Sequence, residues 1–466
     1  MKISVNKQQT YHKVYLDYSL DIIEQLVLTE KEVAYIKEEY SLEKQQQIIT
    51  LNRYDEKLFL CLSQNEDLEK IRIMGDDIQK IISKDKKSNF TFENFSDNEE
   101  LTFAFIEGAI LGNYYFDKYL SKKHDKLEEI FILSNFSQEN ISLLTNVCDA
   151  VIVARDLVNE PVTAINSISF AEKVKELGES AGFSVEVFNK TKLESLKFGG
   201  VLAVNKGSVD PPTFSIMEWK PKNPVNNNPY VFVGKGITFD SGGMNIKTDR
   251  YMEDMKSDMA GGATVAALLY LVAKENLPVH IIGLVPATDN RLNGNAMVSG
   301  DVITMFNGKT VEVTNTDAEG RLILADALSF ADKYSPELVV DIATLTGAAS
   351  RAIGPYGVVA MGKNFSNYMS ELKLAGENVY ERVVEFPFWD EYDKLNKSDI
   401  ADVNNVSSGG AAGAITAGKF LANFTESPYI HLDIAGPAFI KKRMGYRGIG
   451  ATGFGVRLLF SFLKHI

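Results

Sequence analysis

A layered α/β fold is predicted by three observations. The chain has 466 residues, enough for two or three domains. Its composition, 45% hydrophobic and 24% charged, is that of an ordinary packed protein and excludes disordered and collagen-like classes. Beyond residue 160, short apolar strands alternate with helices, the pattern of a sheet covered by helices on both faces. No repeat of 20 to 50 residues is present, which removes solenoids and propellers.

The elements follow in order. Residues 57–62 and 129–133 read as strands, and 98–115 and 141–158 as helices by their apolar spacing. The charged runs 83–87 and 121–126 read as solvated loops or helix faces. Pro161 must end the helix before it, because proline has no amide hydrogen and restricts its predecessor. A first domain is therefore expected over 1–145, a connecting helix and linker over 146–166, and a second domain over 167–466. In the second, 183–188, 229–239, 280–286, 309–314 and 337–345 are expected strands. Residues 260–274 form a buried helix, 321–333 another, and a Gly/Ala-rich helix follows Gly347.

Lys plus Arg total 49 against 62 Asp plus Glu, a net charge of −13. That balance argues against nucleic acid or anionic lipid as general partners and favours peptides, small molecules or metals. The two cysteines, Cys61 and Cys148, are too few for a disulfide framework or a Cys-built zinc site, so a cytoplasmic address is expected. Residues 1–9 carry no apolar leader segment, and the longest apolar run, 263–273, falls short of the roughly 18 to 20 residues that span a bilayer. No membrane association is expected.

Ligands of such sheets bind where loops leave the carboxyl ends of strands, and here carboxylates collect. Strand 229–239 carries Lys235 between Gly234 and Gly236 and runs into Asp240. A separation of five residues would put Lys235 and Asp240 on opposite faces of a straight strand; the glycines are where a bulge could bring them to one site. Asp258 precedes helix 260–274, and Asp317 and Glu319 lie between strand 309–314 and helix 321–333. Each acid alone reads as a helix cap. Together with Lys235 and the nearby Lys247 they are too costly to bury uncompensated, and divalent metal supplies the compensation.

The five histidines (His12, His124, His280, His431 and His465) form no H-E-x-x-H motif, which excludes that class of zinc hydrolase. Carboxylates suit Mg²⁺ or Mn²⁺, and a neutral lysine amine suits Zn²⁺ or Co²⁺. Four carboxylates exceed what one divalent ion balances, so a two-metal centre is expected. A rival chemistry, a two-metal phosphodiesterase or phosphatase, would need more basic groups than Lys247 and Arg321.

The stretches VGKGITFDSGG (233–243) and NTDAEGRL (315–322) resemble the two signatures of the leucyl, or cytosol, aminopeptidases, dinuclear metallopeptidases of the M17 type. MKSDMAG (255–261), DIATLTGA (341–348), GAITA (413–417), HLDIAG (431–436) and GATGFG (450–455) are similar as well, so the likeness runs from about residue 154 to the C-terminus. The resemblance implies a smaller, macro-domain-like α/β domain at the N-terminus, inferred from position alone, and a larger catalytic domain with a mixed central sheet flanked by helices. It implies that Lys235, Asp240, Asp258, Asp317 and Glu319 hold two metals, Zn or Mn with Mg or Co as alternatives. Asp240 and Glu319 would bridge the ions, Lys235 and Asp258 belong to the more exchangeable one, and Asp317 to the other.

The implied reaction is removal of the first residue, Leu or another apolar one, from peptides with a free amino terminus. Lys247 would stabilise the oxyanion, and Arg321, with the Gly320 and Leu322 amides, would hold a bicarbonate general base. Met255, Thr344, Leu345 and Gly347 would line the pocket for the terminal side chain, and six chains would assemble as a dimer of trimers. The stretch 408–412, SGGAA, departs from the family pattern, where many members carry a charged or polar residue. His431 and Asp433 read as satisfied core polar groups rather than ligands. Some family members bind DNA and macro-like domains elsewhere bind ADP-ribose; the net charge and the absence of a glycine-rich phosphate loop in 1–145 argue against both.

Overall fold

The structure, a computed structural model, describes every residue except 6–9, 42, 45, 86, 97, 134–135, 249–250 and 366. The expectations for 1–9 and 83–87 thus lie partly outside the described residues. Contacts group the chain into two units, 1–149 with 442–449, and 150–441 with 450–466.

The first unit is built on a six-stranded sheet ordered Lys2–Ser4, Glu129–Ile132, Asn89–Asn94, His12–Asp17, Lys57–Ser63, Gln46–Asn52. All neighbours are parallel except the last pair. Strand Lys57–Ser63 is buried on both faces, as its apolar run LFLCL requires, whereas Gln46–Asn52 at the edge alternates. The expected helix over 98–115 is Glu99–Gly112, started by Asn98, whose side chain accepts from the Glu100 amide. The one over 141–158 is Gln138–Asn159 and stops before Pro161.

The second unit holds a mixed sheet of nine strands, eight of them ordered Val383–Glu385, Val358–Lys363, Tyr429–Asp433, Leu338–Ala343, Tyr230–Gly234, Ile281–Asn290, Thr213–Trp219, Ser184–Phe188. The central four run parallel, so their carboxyl ends share one edge. Helix Ala260–Lys274 is apolar all round and buried from Ala260 to Ala273 except at the half-buried Tyr270, the composition of a helix enclosed in a core. Helix Gly320–Ala331 is buried along its whole length.

Three expectations need correction. The single strand expected over 229–239 is two, Tyr230–Gly234 and Gly236–Asp240, divided at Lys235. The strand expected over 280–286 runs on to Asn290 because it pairs with both of these pieces. The strand expected over 309–314 shortens to Thr310–Glu312 in a small three-stranded sheet with Val302–Thr304 and Val403–Asn404. Among the described residues no helix is long and apolar enough to cross a membrane.

Candidate metal centre

The carboxyl ends of the central strands bring the predicted acids together. At the break between the two strand pieces, the Lys235 amide donates to Ile342 O at 3.1 Å and its carbonyl accepts from Gly262 N at 2.8 Å. A neighbouring strand and the buried helix therefore grip the backbone of Lys235 while its side chain runs beneath Gly320. A Cβ on Gly320 would lie 2.3 Å from Lys235 Cε. Pairing with Ile281–Asn290 shifts register between Ile237 and Asp240. This irregularity lies past Gly236, on the Asp240 side of the two glycines at which the sequence places a bend or bulge.

Distances define the cluster. Lys235 Nζ lies 2.7 Å from Asp258, 3.1 Å from Glu319 Oε1 and 3.0 Å from Thr344 O. Lys247 Nζ lies 2.8 Å from Asp240 Oδ2 and 2.6 Å from Asp317 Oδ1. Asp240 Oδ1 accepts from the Gly242 amide at 2.8 Å and from Asn290 Nδ2 at 2.9 Å. Thr344 Oγ1 donates to Asp258 Oδ1 at 2.8 Å. Lys235, Asp240, Asp258 and Glu319 are buried; Lys247 and Asp317 are half-buried.

Crowded buried charge shifts these groups. Burial, then the neighbouring Glu319, pushes Asp240 up to about 7, against the pull of both lysines. Burial also raises Asp258 and Asp317. For Glu319 burial acts upward, but Lys235 and Lys247 outweigh it and hold the group below the usual range. Burial works to discharge both lysines; the carboxylates around them win and keep both ammonium groups charged. Three of the four acids are thus pushed toward their protonated forms, and a divalent cation in their midst would favour the ionised ones.

The donor set fits divalent metal. Asp240, Asp317 and Glu319 each offer an oxygen, all within 4.8 Å of one another. Among the described residues, the buried Glu319 Oε2 has no hydrogen-bond partner, the kind of orphan that a missing ligand explains. Carboxylates plus one amine suit first-row divalent ions, and Lys235 would have to give up its proton to join them.

The other predicted residues lie around this cluster. Arg321 is buried, its Nη1 donates to Asn405 O at 2.7 Å, and its Nε has no hydrogen-bond partner among the described residues. Burial, partly offset by Glu319 and Asp433, lowers its pKa to about 10. Gly320 begins helix Gly320–Ala331. The Leu322 amide is already engaged with Glu319 O at 2.9 Å. Met255, Thr344 and Leu345 are half-buried and Gly347 is exposed. Asp433 accepts from Leu345 N, Thr346 Oγ1 and Ala435 N, a satisfied structural role. His431 pairs through Nδ1 with Asp341 Oδ1 at 2.8 Å, both fully buried, while its Nε2 has no hydrogen-bond partner among the described residues. Sequence reasoning missed Asn290; its one signal is its place at the end of a central strand.

With the geometry in place, the comparisons are specific. The model of the cytosol aminopeptidase family's catalytic domain matches residues 152–460. A probable cytosol aminopeptidase of Chloroherpeton thalassium is 51% identical over 316 residues, 67% of this chain and 61% of that one. Its counterpart in Chlorobaculum tepidum is 46% identical over 384 residues, 78% of this chain and 75% of the relative, and one from Aquifex aeolicus is 41% identical over 374 residues. Among solved structures, a bottromycin maturation enzyme, BotP, in complex with Mn aligns at a TM-score of 0.87 with 28% identity, covering 98% of this chain and 99% of that one.

Proposed function

The chain belongs to the cytosol aminopeptidase family, whose members are metal-dependent aminopeptidases, and on that premise we propose that it hydrolyses the first peptide bond of peptides with a free amino terminus, with preference for Leu or another apolar first residue. The observation that carries this reading is the triplet Asp240, Asp317 and Glu319, whose oxygens lie within 4.8 Å, together with the unpartnered Glu319 Oε2.

Asp240, Asp258, Asp317, Glu319 and the neutral amine of Lys235 would hold two divalent cations, Zn or Mn first, Mg or Co as alternatives. Cations held there supply Lewis acidity, polarising the scissile carbonyl and making hydroxide available near neutral pH. Lys247 keeps its charge because its carboxylate neighbours raise its pKa against burial. Its ammonium can therefore stabilise the negative oxygen that develops on the substrate carbonyl, as fixed positive charge does in a partly dry site. Arg321, whose buried Nε lacks an acceptor among the described residues, would hold a bicarbonate ion beside the Gly320 backbone, a group that would supply a general base. Met255, Thr344, Leu345 and Gly347 would receive the first side chain. Thr344 is tied to Asp258, so the pocket wall and the cation site are held as one piece.

We extend the reading to a cytoplasmic homohexamer of 1–145, 146–166 and 167–466 domains. The test of the chemistry is release of product from a leucyl anilide. Activity is expected with Mn²⁺ or Zn²⁺, lost on chelation and restored by metal. Lys235→Ala is expected to lower both bound metal, measured by mass spectrometry, and activity; full activity of chelated protein would overturn the reading.

A further inference from the structure

Lys247 sits on a loop held in part by Asn245 and Thr316, whose side-chain hydrogen bonds go to none of the four carboxylates. After Asp240 the chain turns at Gly242 and Gly243, both left-handed at φ 86° and 64°, a conformation that favours glycine. It then returns so that the Lys247 amide donates to Ser241 O at 2.9 Å.

Within this turn Asn245 and Thr316 exchange hydrogen bonds. The Asn245 amide donates to Thr316 Oγ1 at 2.8 Å, and the Thr316 amide donates to Asn245 Oδ1 at 2.8 Å. Thr316 Oγ1 lies 2.6 Å from Gly242 O and 3.0 Å from Asn245 Oδ1. A hydroxyl has one proton, and the shorter contact takes it, so Thr316 donates to Gly242 O. Ser299 Oγ lies 3.1 Å from both Asn245 Oδ1 and Thr314 O. A Cβ on Gly243 would lie 2.8 Å from Asn290 Oδ1 and 3.1 Å from Thr316 Oγ1, so the glycine lets both side chains approach the turn closely. The loop that carries Lys247 is thereby pinned to the segment that carries Asp317 and Glu319.

We propose that Thr316 and Asn245 are positioning residues, a latch that sets Lys247 at the reacting carbonyl. The proposal rests on the aminopeptidase reading and on the role of Lys247 in it. A lysine is a point charge on a four-carbon stem with many rotamers, so the path of its backbone decides where the charge can stand. Stabilisation of a developing oxyanion depends steeply on that position, and a misplacement of about 1 Å can cost about 100-fold in rate.

The test compares wild type with Thr316→Val, Thr316→Ser and Asn245→Ala, all loaded with Mn²⁺. The readouts are kcat and KM on a leucyl anilide, bound metal by mass spectrometry, and hydrogen exchange over 241–248. Thr316→Val and Asn245→Ala are expected to lower kcat by about 10- to 100-fold, with KM and metal content unchanged and with faster exchange at the Lys247 amide. Thr316→Ser, which keeps the hydroxyl, is expected to recover to within a few-fold of wild type. Wild-type kcat in Thr316→Val, unchanged exchange at Lys247, or a loss that follows metal content and is no smaller in Thr316→Ser would overturn the latch. Asn245 is exposed, so Asn245→Ala decides the matter should Thr316→Val fail to fold. Wild type inactive with every metal would refute the aminopeptidase reading instead, and the exchange measurement would still judge the latch.

Discussion

At Gly320 the centre turns on one absent methyl group. A Cβ there would stand 2.3 Å from Lys235 Cε and 2.6 Å from Nζ, and since both belong to a flexible side chain, the lysine rather than the backbone must move. Gly320→Ala is therefore expected to leave the fold intact while withdrawing Lys235 from Asp258 and Glu319. Mn²⁺ affinity should fall by about 10- to 100-fold, the range seen when the supports of a metal ligand are disturbed. Calorimetric titration of chelator-treated protein checks this, and wild-type affinity would refute it. The five proposed ligands are legible in the sequence because a lysine inside an apolar strand and acids at strand ends are costly to bury. Asn290 and Thr316 are not, because amides and hydroxyls occur everywhere in a chain and only the fold aims these two at Asp240 and the Lys247 loop.

Among the elements, those with strong periodicity or hard stops were legible. Helix Ala260–Lys274 ends where its apolar run ends, and Gln138–Asn159 stops before Pro161. What stayed hidden depended on partners distant in sequence. The division of the strand at Lys235 arises because Ile342 O and Gly262 N claim its backbone. Helix Glu30–Glu39 of the first unit yields a prediction in pH. Thr29 and Glu32 form a capping box, and Arg53 reaches Glu32 at 2.7 and 3.0 Å. The Arg53 hydrogen bonds lead the effects that hold the Glu32 carboxyl down at about 2, against an ordinary 4.5. A folded pKa below the unfolded one contributes stability that is present above about pH 4.5 and lost as pH falls through about 2. Glu32→Gln is expected to cost about 1 kcal/mol at pH 6, a value discounted for partial exposure. Melting curves from pH 6 to 2.5 should show the gap to wild type closing; a constant gap would refute the assignment.

For the whole molecule, the formal charge of −13 keeps copies apart at long range, so assembly must come from apolar contact and local pairing. The second unit has surface of that kind at the free edge of its large sheet. Among the described residues, edge strand Val383–Glu385 pairs on one side only, with Val358–Lys363. Val384 on it, Tyr356 just before its neighbour and Leu374 on the adjoining helix Tyr368–Val379 are 38%, 58% and 61% exposed. Lys373 reaches Glu385 at 2.6 Å, which fixes that helix beside the edge. An exposed edge strand flanked by apolar side chains is a surface that proteins cover or pair. The proposed hexamer supplies a cover: six chains of 51.7 kDa would sediment at about 310 kDa. Sedimentation velocity at micromolar concentration and about 0.15 M salt is expected to show that species, with added salt preserving it because screening removes repulsion faster than it weakens apolar contact. Leu374→Glu places a charge in the patch and is expected to shift the distribution toward smaller species while leaving the melting temperature of the separated chains within a few degrees. A wild-type chain sedimenting at 51.7 kDa under these conditions would refute the hexamer, and a hexamer indifferent to Leu374→Glu would move the interface away from this edge.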